Sequence, residues 1–402
     1  MNSIKVAGLL AFTSITRGNR GVIVLTILIL TLVGLNLLFV PSLLAGLVSG
    51  SNEKLITTFS SDIVITSSND KAPLLNNIQT KLASIDRIDG VAAATTRNSL
   101  LTQMSYEGNR TSATVFGILP DLEQQVFQID KYLIEGSYLA PRDRDQILLG
   151  VQVAGADRIN LEFFSRSLQS VHAGDKIKVI YGNNLEKEYT VKGIFYAEFI
   201  QTDLQAFITE TEFESIVPAA KNHAASIHVK TSDNINMQPV IDQIKNLDNA
   251  FKILTWQDYA GIMRSMTDSF NAIKTILNIV NILVAGFTVF ILNYIDVTTR
   301  RRQIGIQRAI GITSSSVTIS YLVRAAFLSM LGTGLAALLF VKAVMPLEAR
   351  YPFHFPFGAV FLNAGSADLI RMTLIVLGVS LVAAFIPVRA VTRMRIMDAI
   401  WG

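Results

Sequence analysis

The groups in this chain that could do chemistry are few and scattered. It has four histidines (His172, His223, His228 and His354) and no cysteine. Without thiols there is no disulfide, no zinc–thiolate site and no cysteine nucleophile. Only His223 and His228 are close, and five residues apart on a strand they point to opposite faces, which is wrong for a shared metal. Pro141-Arg142-Asp143-Arg144-Asp145 interleaves carboxylates with guanidinium groups that compete for the oxygens a calcium ion needs, so it reads as a solvated turn. Asn109-Arg110-Thr111 has N-glycosylation spacing, a three-residue pattern that chance often supplies. No G-x-x-x-x-G-K-[ST] loop occurs, so the residues at hand carry no phosphate cradle of that kind. The expectation is a non-catalytic chain with no metal and no cofactor of its own.

One stretch is ordered in a way that composition does not explain. Arg300, Arg301, Arg302, Ile304, Gly305, Arg308, Ala309, Ile310 and Gly311 form a basic, partly apolar run. As a short helix it would show Ile304, Arg308 and Gly311 on one face, Arg301 and Gly305 on another. Glycine at two fixed places suggests the close approach of another surface. The chemistry on offer is protein docking.

Long apolar segments must position that stretch. The chain is 50% hydrophobic and 16% charged, more apolar than an ordinary soluble domain. Gly21 to Asn52 is charge-free, about 48 Å if it is one helix, against about 30 Å of hydrocarbon. That is twice a signal-peptide core and no A-x-A-like site follows, so it reads as a span. Thr275–Ile295, Ala325–Val341 and Met372–Val388 are the other three spans. Asn278, Asn281 and Asn293 lie in the second and read as interhelical packing groups. Ser329-x-x-x-Thr333 and Gly332-x-x-x-Ala336 in the third offer small residues for close helix contact.

Basic residues flank the spans at Lys5, Arg17 and Arg20, at Arg300 to Arg308, and at Arg389, Arg393 and Arg395. The positive-inside rule makes these regions cytoplasmic, with both termini inside and 53–273 outside. Residues 53–273 hold 27 acidic and 20 basic side chains, while the remainder holds 4 and 15. The overall charge of +4 therefore belongs to the membrane-flanking parts and does not point to nucleic acid.

The expected organisation is a cytoplasmic amphipathic segment (1–20), a first span and stalk (21–52), and an extracytoplasmic domain (53–273). The second span (274–296), a cytoplasmic coupling helix (297–314) and the third span (315–342) follow. An extracytoplasmic loop (343–370), the fourth span (371–388) and a cytoplasmic tail (389–402) complete it. Within 53–273 two strand–helix–strand units stand out. Ser61–Thr66 reads as a strand, Pro73–Arg87 as a helix and Val91 as the start of a second strand. Ala225–Lys230, Met237–Leu247 and Phe251–Thr255 repeat that order. Together they predict an α+β sandwich of ferredoxin-like type, porter-like over 53–134 and 220–260. A β-rich insertion at 135–219 separates them, with strand patterns at 146–150, 176–180 and 188–194. The fold class is thus a four-span α-helical membrane protein with a large α+β extracytoplasmic domain.

These features resemble the ABC transporter permease family of MacB, FtsX and the lipoprotein-releasing permeases LolC and LolE. The order Arg301, Arg302, Ile304, Gly305, Arg308, Ala309, Gly311 looks like the family's loop after the second span. Gly117-Ile118-Leu119-Pro120, Glu135-Gly136-Ser137-Tyr138-Leu139 and Leu148-Leu149-Gly150 look like its outside-domain elements. Thr299, Gln303 and Arg324 stand where many members carry Glu. The resemblance implies an ATPase on a separate chain that holds the ATP and Mg, and a second permease, identical or not. Arg300–Gly311 would be the coupling helix. It also implies movement relayed to the outside domain, with the chain in the cytoplasmic (inner) membrane and a possible periplasmic or outer-membrane partner. Lipoprotein release or MacB-like efflux is the expected function. An FtsX-like subunit that activates a cell-wall hydrolase is the alternative, and a tethered receptor without an ATPase is a third class.

Overall fold

The computed structural model describes residues 3–16, 20–69, 71–155, 166–232, 235–259, 262–355 and 358–394. They form two compact units. One comprises residues 1–48, 268–353 and 360–402, the other 49–267 with 354–359.

The first unit is helical. Four helices are long and apolar enough to span a membrane: Arg20–Leu55, Ile262–Thr299, Ser314–Leu339 and Ser366–Arg393. The third continues through a π-helical turn, Phe340–Val344, into Met345–Arg350, so it runs past its expected end at 342. The first is 36 residues long, about 54 Å at the usual rise, well beyond a bilayer core. Leu30, Leu38, Val289, Leu328, Ala336, Phe340, Met372 and Val376 are buried together. Phe287, Leu32, Leu338 and Val382 instead point outward, each more than half exposed. That pattern would be costly in water and is free in lipid. Among the described residues of the Ser3–Thr16 helix, Ala7 and Ala11 are buried while Leu9 and Phe12 are exposed. The segment expected to be amphipathic is thus apolar outside too, with its small residues turned inward. It packs along Ser314–Leu339.

Close backbone approach joins the first and third long helices. A Cβ on Gly332 would meet the Leu30 Cβ at 2.5 Å, and one on Gly34 would meet the Ala336 Cβ at 2.8 Å. Thr31 Oγ1 donates to the Gly332 carbonyl at 3.2 Å. Ser329 and Thr333 bond to carbonyls of their own helix. The small-residue motif is used as expected, but its hydroxyls are not the interhelical bonds. Gly332-x-Gly334-x-x-Ala337 also has the spacing of a dinucleotide fingerprint. It lies mid-helix with no strand before it, so it is a packing feature.

The second unit is built on strands β1 (Ile63–Ser67), β2 (Val91–Tyr106), β3 (Asn109–Ile118), β4 (Leu133–Gly136) and β5 (Gln146–Gly150), followed by β6 (Lys176–Ile180), β7 (Glu186–Phe195), β8 (Gln205–Thr209), β9 (Ser226–Thr231) and β10 (Phe251–Thr255). The order β10-β1-β9-β2 is antiparallel throughout. Helix Ile78–Ile85 connects β1 to β2 and helix Met237–Leu247 connects β9 to β10, so two split strand–helix–strand units interleave. Ile78, Leu82 and Ile85 from one helix, and Val240 and Ile244 from the other, cover Ile63, Ile65, Ile227 and Val229. This is the ferredoxin-like sandwich.

The remaining strands close on themselves. β2 pairs β3, β3 pairs β8, β8 pairs β5, β5 pairs β7, β7 pairs β6, and β6 returns to β2. The result is a six-stranded barrel filled by Met104, Val115, Ile147, Leu149, Ile177, Val179, Val191 and Ile208. The barrel takes β3 and the outer half of β2 from residues before 135, so its bounds differ from an insertion over 135–219. At 16 residues, β2 is long enough to serve both sheets, and a fully closed barrel leaves no edge there to protect.

Candidate functional site

Arg300–Gly311 forms a nine-residue helix, Arg301–Ala309, between the second and third long helices. Ile304 is 1% exposed, packed with Val297, Val317, Val388 and Val391. Gly305 is buried beside it. Arg308 Nη1 donates to the Met394 carbonyl at 2.7 Å. Arg300 Nε pairs with Asp296 at 3.2 Å, and Arg324, itself buried, pairs with the same carboxylate. Thr313 caps the next helix by accepting from Ser316 N–H. The short helix is therefore tied down at both ends and along one face.

What it presents outward is a different set. Arg301, Arg302, Gln303 and Ala309 are exposed, as are Ile306 at 47% and Ile310 at 74%. The surface is two guanidinium groups beside two isoleucines. Sequence spacing placed the helix but not its faces: Ile304, Gly305 and Arg308 serve the chain's own packing. Gly311 has a local role in the chain itself. Its φ is +94° with nothing within 4 Å of an added Cβ, and Gly311 N–H bonds back to Arg308 while Ile312 N–H bonds to Gln307. It ends the helix in the left-handed conformation that glycine adopts without strain. Asp296 carried no sequence signal, and Arg324 stood out only as a departure from the family pattern.

A second constellation lies inside the 49–267 unit, where the first long helix ends. Its last turn passes into a π-helical segment, Ile56–Ser60. Thr58 and Ser60 are fully buried. Arg97 Nη1 donates to the Phe59 carbonyl at 3.0 Å, and its Nε to Glu123 at 2.9 Å. His228 Nδ1 lies 2.8 Å from the Ser60 carbonyl and its Nε2 2.9 Å from Ser226 Oγ. Lys54 pairs with Glu198 at 3.1 Å. The Arg97 guanidinium stacks on Phe127, 3.6 Å from its centroid, and Tyr259 lies against His228 and Phe59. Burial, then the Arg97 charge, holds His228 down at about 3, so it stays neutral. It is a packed core histidine. Burial pushes Glu123 up and Arg97 pulls it back. The buried ion pair thus fastens the end of the helix to the sheet, and breaking such a pair typically costs about 3–5 kcal/mol. His223 bonds the Lys221 carbonyl in a short strand that pairs with Leu75–Asn76, and His172 approaches Glu135 at the surface. The side chain of His354 lies outside the described residues. Among the described residues no cluster could hold a metal ion.

The model of the MacB-like periplasmic core domain matches residues 24–247, more than half of the chain. The chain belongs to this family. The FtsX-like permease C-terminal model matches residues 275–396, which contain the Arg301–Ala309 helix. The protein is an ABC transporter permease of the MacB/FtsX family, a membrane protein with an extracytoplasmic domain. An uncharacterised ABC transporter permease of Methanocaldococcus jannaschii is 21% identical over 309 residues, 75% of this chain and 73% of that one. The macrolide export ATP-binding/permease protein MacB of Neisseria meningitidis is 23% identical over 186 residues, covering 45% of this permease and 28% of MacB. Among solved structures, the periplasmic region of MacB from Actinobacillus actinomycetemcomitans is 16% identical, covers 52% of this chain and 94% of its own, and gives a TM-score of 0.36. The extracellular domain of YknZ from Gram-positive bacteria is 11% identical, covers 48% and 99%, and gives 0.35.

Proposed function

We propose that this permease works in the cytoplasmic (inner) membrane under an ATPase carried on a separate chain, which binds the ATP and Mg. Both termini and the Arg301–Ala309 helix face the cytoplasm, and a second permease, identical or not, completes the assembly. The 49–267 unit is the working part outside. It rearranges around a substrate that is released from the membrane or exported, as a lipoprotein or a MacB-type efflux substrate. The observation that carries this reading is the outward face of Arg301, Arg302, Ile306 and Ile310 on a helix braced by Asp296, Arg324 and the Met394 carbonyl. A helix held on one side and bare on the other transmits a push without bending. Apolar side chains beside cations suit an acidic groove on a partner.

The test is Arg301→Glu with Arg302→Glu in the full-length permease, co-expressed with a candidate partner ATPase that co-purifies with the wild type. Charge reversal at a docked face adds repulsion, and disrupting such contacts costs about 2–5 kcal/mol, so co-purification should fall tens-fold or more. Neither side chain is buried, and Arg300 and Arg308 still mark the loop as cytoplasmic, so membrane insertion should be unchanged and is checked alongside. Arg308 and Gly305 are poorer probes, since both face the chain's own helices. Wild-type co-purification and wild-type stimulated ATP hydrolysis in the double variant would overturn the assignment.

A further inference from the structure

A cavity of about 180 Å³ opens within the membrane unit, among the first, second and fourth long helices. It is lined by the middle of the first two, residues 37–45 and 274–282, and by the start of the fourth. Its lining includes the apolar Leu37, Pro41, Ile282 and Ile375 and the polar Lys274, Arg371, Asp368 and Asn278. Asp368 is committed in part: its Oδ2 accepts the Gly365 N–H at 3.0 Å to cap the fourth helix. Among the described residues neither Lys274 nor Arg371 forms an ion pair. Two cations and one carboxylate leave the cavity with one net positive charge, next to apolar walls. Arg371 and Asp368 are exposed and Lys274 is half-buried, so an anion can reach this excess positive charge from outside the protein. Pro41 has no N–H to give the Leu37 carbonyl one turn earlier, so the wall also keeps an acceptor free of its usual helical partner.

We propose that this cavity seats the phosphodiester head of one glycerophospholipid, most of whose acyl chains lie outside it. The phosphodiester sits between Lys274 and Arg371, and an acyl chain follows Leu37, Ile282 and Ile375. One phosphodiester carries one negative charge, which cancels the excess. The apolar wall takes what a free anion lacks. Asn278 is then a headgroup contact, rather than the interhelical bond its place in a span suggests.

The purified full-length permease in mild detergent, titrated with phosphatidylglycerol and read by native mass spectrometry, should hold one phospholipid more tightly than the rest. Lys274→Gln with Arg371→Gln should weaken that binding at least tenfold. Ile282→Trp adds bulk to the apolar lining and leaves both cations in place, and it should displace the same lipid; it decides the matter if the double variant fails to fold. Diacylglycerol, which lacks the phosphate, should not compete. Inorganic phosphate at millimolar concentration should not displace the lipid. Three results would overturn the proposal: equal retention in the variants, competition by diacylglycerol, or displacement by inorganic phosphate, which would make the site one for a free anion.

Discussion

Asp203 is a carboxylate placed where the fold prefers it uncharged. It is 2% exposed, and its oxygens accept the N–H groups of Ala197 and Phe199 at 2.7 and 3.1 Å. Burial outweighs those bonds and raises it from 3.8 to about 7. Between those values the folded chain holds a proton that the unfolded chain has lost, so this group's contribution to stability falls as pH rises and levels off above about 7. His228 acts in the opposite sense. Held at about 3 against its ordinary 6.5, it stays neutral while the unfolded chain protonates, and its contribution is lost as pH falls from 6.5 toward 3. The two trends oppose each other in mildly acidic solution, so total stability is a poor readout and a variant isolates the carboxylate. Asp203→Asn removes the titration and keeps one acceptor. We expect the Asn variant to gain on the wild type between pH 5 and pH 8, by at most about 3 kcal/mol. Thermal melting at the two pH values measures it, and a gap that does not change with pH would contradict the buried, proton-holding carboxylate. Nothing near Gln201-Thr202-Asp203 announces this in sequence, because the burial comes from strands far away in the chain. His228 was legible only in the negative, as a histidine without a metal partner.

The helices carry a prediction at the scale of elements. Gly332 and Gly334 are two residues apart in one helix and look alike in sequence, yet only Gly332 meets a neighbour, with Leu30 Cβ 2.5 Å from where its own Cβ would be. Gly334 has nothing within 4 Å. Gly332→Val should separate the first and third long helices and cost about 1–3 kcal/mol by overpacking, whereas Gly334→Val should be nearly silent. The midpoint of loss of the monodisperse peak on heating in detergent reads the difference, and equal effects of the two variants would argue against this helix contact. Spacing narrowed the choice to a face of small residues; the structure shows which residue makes the contact. The Arg301–Ala309 helix was similarly half-legible. Charge and spacing marked its existence, while Gly311, read as part of a face, proves to end it. Which side is buried depends on Val317, Val388 and Val391, on elements whose approach no local pattern encodes. In the 49–267 unit, period-two and period-3.6 patterns located the paired strand–helix–strand units. The barrel was not legible, because its closure needs β2 to run 16 residues and to pair with β9 in its first half and with β3 and β6 beyond.

At the scale of the whole molecule, the unit of residues 49–267 has cores of its own, one in the sandwich and one in the barrel. It also takes in the end of the first long helix, which the sequence alone assigns to a stalk. Leu55 is 1% exposed and clusters with Phe199, Phe59 and Trp256, while Arg97 and His228 spend hydrogen bonds on the Phe59 and Ser60 carbonyls. A fragment that folds by itself should therefore begin before the first strand. A fragment of residues 49–267 should unfold in one cooperative transition. A fragment of residues 62–259 keeps all ten strands and both sandwich helices, but it exposes the Phe199 site and leaves the Arg97–Glu123 pair and His228 short of partners. Loss of a buried leucine and of hydrogen bonds to a buried cation is worth several kcal/mol. In a domain of this size that lowers the melting temperature by roughly 10 °C. Calorimetry on the two fragments checks both statements. The absence of a cooperative transition in the longer fragment would count against autonomy. Equal melting of the two would show that the helix end is a passive tether rather than a seated part of the extracytoplasmic unit, and a passive tether could not relay movement into it.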